Sequence, residues 1–138
     1  MLGKEVSHTL PLGSHGSTFG GNPVCCAVAR VVWEKASSSK FLQQIENKGE
    51  FLFGLLAGIN SKFQIFSEIR GKGLMIGAEF NAELGDIAPQ VLNSCLENNL
   101  LVLQSGTRVL RLLPAYTISL EEIAEGVKRL EKVLEHFC

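Results

Sequence analysis

The sequence predicts an α+β fold in which helices cover one face of a small, mostly antiparallel sheet. Three observations carry that prediction. Apolar residues recur at helical spacing both early and late in the chain. Between these stretches the period changes around "RGKG" and again around "SGT", each a turn signal between short apolar runs. The resulting order is helix, helix, two strands, helix, two strands, helix.

Pro23 suits the first turn of a helix, where its missing N–H costs nothing, and Val24, Ala27, Val28 and Val31 then follow the helical period to about Ala36. "SSSK", Ser37 to Lys40, breaks that helix and offers caps for the next. The second helix is expected to align Phe41, Leu42, Ile45, Leu52, Leu55, Leu56 and Ile59 on one face, despite Gly49 and Gly54. From Phe63, "FQIFSEIRGKGLMIGAEF" reads as two strands around the Gly71–Gly73 turn, with Leu74, Ile76, Ala78 and Phe80 alternating against Met75, Gly77 and Glu79. A short helix starting near Asp86 turns Val91, Leu92, Cys95 and Leu96 inward. "LLVLQ" and "RVLRLL" are two more strands joined by Ser105-Gly106-Thr107, and Pro114 ends the second. The last helix has the clearest start: Ser119 followed three residues later by Glu122 makes a capping box. Leu120, Ile123, Val127, Leu130, Leu134 and Phe137 form its apolar stripe.

At 138 residues and 46% hydrophobic, the chain has the material for one ordinary domain with a core. A net charge of −1 with scattered basic residues excludes nucleic acid or an acidic membrane as the main partner. No apolar run approaches the ~20 residues that span a bilayer. The N-terminal "MLGKEVSHTL" lacks the apolar core of a secretory signal. Four cysteines, Cys25, Cys26, Cys95 and Cys138, show no metal or disulfide spacing. They are expected as reduced, buried small hydrophobes of a cytoplasmic protein. His8, His15 and His136 stand apart from any acid or nucleophile at catalytic spacing, so no metal site or catalytic triad is expected.

Two candidates for chemistry remain. "GSHGSTFGGNPVCC", Gly13 to Cys26, sets glycines and two hydroxyls before a proline-started helix. Backbone N–H groups freed by glycine, together with Ser17 and Thr18, can hold a phosphate, while a flexible linker is the other reading. It is not a P-loop, because no Lys-Ser/Thr pair ends the glycine run. In "RVLRLLPAYTIS", Arg111 shares a strand face with Val109 and Leu113. A guanidinium between apolar neighbours must find an anion. That anion is either one of the 14 acidic residues or a carboxylate from outside. "RGKGLMIG", Arg70 to Gly77, lacks the third glycine of a dinucleotide fingerprint and reads instead as a tight hairpin with close backbone approach.

Taken in order, "GSHGSTFGGNP", "IRGKGLMIGAEF" and "VLRLLPAYTIS" resemble the C-terminal part of the class III aminotransferases, which use pyridoxal phosphate. The resemblance covers nearly the whole chain. It implies that residues 1–36 are a remnant of the large domain, with the phosphate-binding loop and a linking helix. Residues 37–138 would be the C-terminal small domain of a fold-type I enzyme. It further implies that Thr18 contacts the cofactor phosphate of a neighbouring subunit across a homodimer interface. Ser17 would lie beside the substrate, and Arg111 would clamp a substrate carboxylate. The implied reaction is amino transfer between an acylated ornithine and 2-oxoglutarate, and Arg111 alone does not separate that donor from ornithine or 4-aminobutyrate.

The sequence departs from the family in one respect. The lysine that carries the cofactor lies upstream of the phosphate loop in the family, and Lys4 stands too close to that loop to be it. The acid at the cofactor's ring nitrogen and the aromatic residue that stacks on it also belong to the large domain. Hence this chain supplies no catalytic residue, is expected to be inactive alone, and reads as a C-terminal fragment. An interaction module derived from such an enzyme is the second expectation. "ML" at the start is expected to be the end of the strand that precedes the loop, with Met1 an internal methionine.

Overall fold

The computed structural model describes Thr9, Gly13 and residues 16–138. The expected strand end at Met1–Leu2, together with Lys4, His8 and His15, lies outside the described residues. Packing divides the chain into two compact units, residues 1–38 and 39–138.

The first unit contains helix α1, Pro23–Ala36. Asn22 caps it: its side-chain oxygen accepts from Val24 N–H at 2.9 Å and Cys25 N–H at 3.3 Å. None of its residues is buried. Cys25 and Cys26 are therefore exposed, contrary to the expectation of buried thiols. Their helix has an apolar side that carries Val24, Val28 and Val31.

The second unit begins with α2, Ser39–Phe63, and continues through β1, Phe66–Lys72, and β2, Met75–Phe80. A single 3-10 turn at Ala82–Leu84 leads to α3, Ala88–Glu97, then β3, Leu103–Ser105, β4, Val109–Leu112, and α4, Leu120–Leu134. The four strands form an antiparallel sheet in the order β1-β2-β4-β3. The protein is thus α+β, as the element order predicted.

Alternation on β2 sorts the sheet's two faces. Ile76, Ala78 and Phe80 are buried and join Leu110 of β4 in one core with α2, α3 and α4. On α2 the buried row is Gly49, Leu52, Leu56 and Ile59, spaced three or four apart. Leu42, expected on that face, is exposed because it sits one position off the row that Phe41 and Ile45 begin. Leu96 is likewise exposed one step beyond buried Cys95, and Leu120 lies ahead of the row that starts at Ile123.

β3 is shorter than expected. Leu100 turns off the end of α3, where its N–H donates to the Cys95 carbonyl at 2.9 Å, and only Leu103–Ser105 pair with β4. Asn99 makes that turn at φ +56°, a left-handed cap that asparagine tolerates. At the other end of the sheet, Lys72 pairs with Met75 across a two-residue turn, and Gly73 at φ +55° occupies the position where such turns place glycine. The capping box of α4 forms as predicted. Ser119 Oγ accepts from Glu122 N–H at 3.1 Å, and Ser119 N–H donates to Glu122 Oε2 at 2.8 Å. No helix among the described residues is long and apolar enough to cross a membrane.

Candidate functional site

The three predicted site residues fall in different units, Ser17 and Thr18 in the first and Arg111 in the second. Each site is described by itself.

In the first unit the segment from Gly16 to Asn22 turns tightly on its own atoms. Gly20 N–H donates to both the carbonyl and the hydroxyl oxygen of Ser17, at 3.3 and 3.1 Å. Asn22 N–H donates to the Phe19 carbonyl at 3.2 Å, and the Asn22 side chain takes up two of the first amides of α1. These internal bonds change the sequence-based picture of a cradle of free amides. The helix start is already capped, and Gly20 is engaged. Ser17 Oγ accepts from Gly20, which leaves its own proton free to donate. Thr18 is exposed, and its hydroxyl has no partner among the described residues. The loop therefore offers hydroxyl donors on a short, self-braced turn.

In the second unit Arg111 lies on β4, opposite Gly77 of β2 on one side and Leu103 of β3 on the other. Its neighbours Leu110 and Leu112 point to the core side, so Arg111 projects from the open face of the sheet. The guanidinium is half-buried, and its Nε is fully shielded from water with no hydrogen-bond partner. The internal salt bridge that the sequence left open does not form among the described residues. Of the chain's five arginines, Arg30, Arg70, Arg108 and Arg129 each pair with a glutamate. Among the described residues Arg111 pairs with none.

An unpartnered, shielded guanidinium N–H costs stability, so its presence calls for an anion that the described residues do not supply. Arg111 also lines a cavity of about 360 Å³ together with Leu101, Leu103, Leu113, Pro114 and Ile118. The walls are mostly apolar, with Glu122 the one carboxylate among them, and a carboxylate entering beside Arg111 would meet a cation partly shielded from water. The chain after Pro114 is tied down by α2. Lys48 Nζ donates to the Tyr116 carbonyl at 3.0 Å, and the Phe41 and Tyr116 rings meet edge-on at 6.2 Å. That brace fixes the exit of β4, and with it the strand that carries Arg111.

Sequence reasoning missed the acidic and basic groups around this position. Arg70 Nη1 donates to Glu68 Oε2 at 2.7 Å and to Glu79 Oε2 at 2.8 Å, and Arg108 Nη2 lies 3.8 Å from Glu79 Oε1. The Glu79 hydrogen bond is the main cause that raises the Arg70 guanidinium above its ordinary range. The alternation of Met75, Gly77 and Glu79 on β2 was the available signal, because it puts Glu79 on the same face as Arg111. Among the described residues no group of three or more His, Cys, Asp or Glu is placed to hold a metal ion.

Residues 1–134 match the model of the family described as aminotransferase class-III. An acetylornithine/succinyldiaminopimelate aminotransferase of Photorhabdus laumondii is 43% identical over 130 residues, which cover 94% of this chain and 32% of the relative. An acetylornithine aminotransferase of Vibrio vulnificus is 41% identical over 130 residues, with the same two shares. Among solved structures, the N-acetylornithine aminotransferase of Stenotrophomonas maltophilia superposes with a TM-score of 0.80 at 41% identity, covering 86% of this chain and 32% of that one. The ornithine aminotransferase of Toxoplasma gondii superposes with a TM-score of 0.76 at 32% identity, over 96% of this chain and 31% of that one. The chain spans about a third of the length of the relatives it matches.

Enzymes of this family depend on pyridoxal phosphate. The described residues suit part of such a site. A phosphate needs donors, and Thr18 presents a free hydroxyl on a braced turn. A carboxylate pairs with a guanidinium, and that of Arg111 has no partner among the described residues.

Proposed function

The chain belongs to the class-III aminotransferases, and from that premise we propose that it forms the C-terminal part of a pyridoxal-phosphate enzyme moving an amino group from N-acetylornithine to 2-oxoglutarate. The orphaned Nε of Arg111 carries this reading. Every substrate of such a reaction has a carboxylate, and a guanidinium fork holds a carboxylate by two parallel hydrogen bonds. Held on a sheet strand between Gly77 and Leu103, Arg111 sets the position and direction of the bound substrate. The mostly apolar walls around it reduce screening by water and strengthen that ion pair.

Thr18 donates its hydroxyl to a phosphate oxygen of a neighbouring subunit's cofactor, and Ser17, on the same turn, lies beside a substrate. Pyridoxal phosphate, when bound, supplies the electron sink that lets the substrate's amino-bearing carbon release its proton. This chain's residues bind and orient around that chemistry, while the lysine that moves the proton is supplied by the large domain. The 138 residues alone are therefore inactive. The apolar side of α1, with Val24, Val28 and Trp33 exposed, supports a setting in which more protein packs around this piece, as in a homodimer. The free state of all four cysteines supports a reducing, cytoplasmic compartment.

The names of the relatives favour an acylated ornithine as donor, although ornithine aminotransferases share the fold and the second donor stays open to test. The assay incubates this chain with pyridoxal phosphate, N-acetylornithine and 2-oxoglutarate, alone and after co-expression with the remaining N-terminal two-thirds of the Photorhabdus relative. Expected is no glutamate from the chain alone, and glutamate formation from the pair that falls sharply with Arg111→Lys. Turnover by the chain alone, or turnover by the pair indifferent to Arg111, overturns the reading.

A further inference from the structure

The open face of the sheet carries two adjacent rungs. Register places Arg70, Gly77, Arg111 and Leu103 side by side on β1, β2, β4 and β3. The next rung brings together Glu68, Glu79, Val109 and Ser105. Glu79 is thus one diagonal step from Arg111, about 7–8 Å between backbones, which long side chains bridge. Gly77 has no side chain to stand between them, and only the Val109 methyl leans over it, 3.3 Å from where a Cβ would sit.

Glu79 nevertheless turns the other way. Its Oε2 takes Arg70 at 2.8 Å and its Oε1 faces Arg108 at 3.8 Å, while Arg70 also holds Glu68 at 2.7 Å. Two carboxylates and two guanidiniums satisfy one another and leave the third guanidinium with none. Register puts Arg70 and Arg111 on either side of Gly77, each one diagonal step from Glu79. The side that wins Glu79 decides whether Arg111 is free.

We propose that Arg70 is a positioning residue: by holding Glu79 toward β1, it keeps Arg111 unpaired and ready for an incoming carboxylate. The assignment rests on Arg111 as the carboxylate clamp, and predicts what happens when the restraint is removed. Without Arg70, Glu79 is held only by the longer Arg108 contact and swings across Gly77 onto Arg111. The clamp is then occupied from within, and a substrate carboxylate must displace a tethered competitor.

The test uses this chain and the ¹H–¹⁵N resonance of Arg111 Nε, assigned from the loss of its peak in Arg111→Lys. Glutarate serves as the probe ligand. In the unaltered chain glutarate is expected to move that resonance. In Arg70→Met the resonance starts shifted downfield with slowed exchange, and glutarate binds about two- to fivefold more weakly, the range of one part-exposed ion pair. Adding Glu79→Gln to Arg70→Met restores both readings, and Arg70→Lys keeps them close to the original. A general loosening of the sheet does not produce rescue by removing a second charge. If glutarate moves the Arg111 resonance but Arg70→Met changes neither its position nor the affinity, the role of Arg70 is overturned and the clamp stands. If glutarate never moves it, the clamp itself is overturned, and the role of Arg70 with it.

Discussion

Gly49, in the middle of α2, lies directly against the backbone of Gly73 in the β1–β2 turn, so closely that a Cβ on Gly49 would come within 2.6 Å of the Gly73 carbonyl carbon. A glycine inside a helix costs about 1 kcal/mol relative to alanine. Here that cost lets the helix seat on the turn and brings Leu52, Leu56 and Ile59 onto the sheet. Gly49→Ala should therefore destabilise the chain by about 1–3 kcal/mol, because backbone cannot yield as a side chain does. Gly54→Ala on the same helix meets nothing within 4 Å and should stabilise it by about 0.5–1 kcal/mol. Urea melts of the two variants, read against the unaltered chain, check the opposite signs.

Arg111 should be a liability to the fold that holds it. Its Nε is shielded and unpaired, and no described carboxylate loses a partner if it goes. Arg111→Met, of similar length and apolar, should leave the thermal midpoint unchanged or raise stability by about 1 kcal/mol. A large loss in the same thermal scan means the guanidinium has a structural partner after all.

The thiols should separate by burial. Cys95 is fully buried in α3, and burial pushes its pKa up to about 11 from 9.0. Its neutral state in the fold contributes stability that is complete below the ordinary thiol value. That contribution is lost as pH rises through about 11, since the unfolded chain ionises first. At pH 8, iodoacetamide followed by mass spectrometry should label Cys25, Cys26 and, more slowly, Cys138, whose thiol is raised by partial burial and by Glu135. Cys95 should label only in denaturant. Labelling of Cys95 at the rate of the others contradicts the core as described.

Ser119→Ala removes one half of the box that starts α4 and should cost about 1 kcal/mol in the same urea assay. Ser119→Asp retains an acceptor for the Glu122 amide and should recover most of it.

Much of this architecture was legible because it is written in short-range signals. The α4 cap, the Gly73 turn and the alternation on β2 each need only a few neighbouring residues to specify them. Leu100 was misplaced because strand preference and a helix-terminating turn compete over the same apolar run, and the hydrogen bond to Cys95 settles it. Cys25 and Cys26 were misplaced for a different reason: apolar periodicity marks a face to be covered but not what covers it. Arg111 stood out by its position between apolar neighbours, whereas the Arg70–Glu79 pair on the same sheet face did not, because only strand register brings those residues beside it.

The central claim is that Arg111 holds a substrate carboxylate, and a titration with 2-oxoglutarate tests it most directly. The Arg111 Nε–H resonance should shift saturably, the Arg30 resonance paired with Glu34 should not, and Arg111→Lys should abolish the saturable response. No shift at Arg111, or equal shifts at Arg111 and Arg30, contradicts the account.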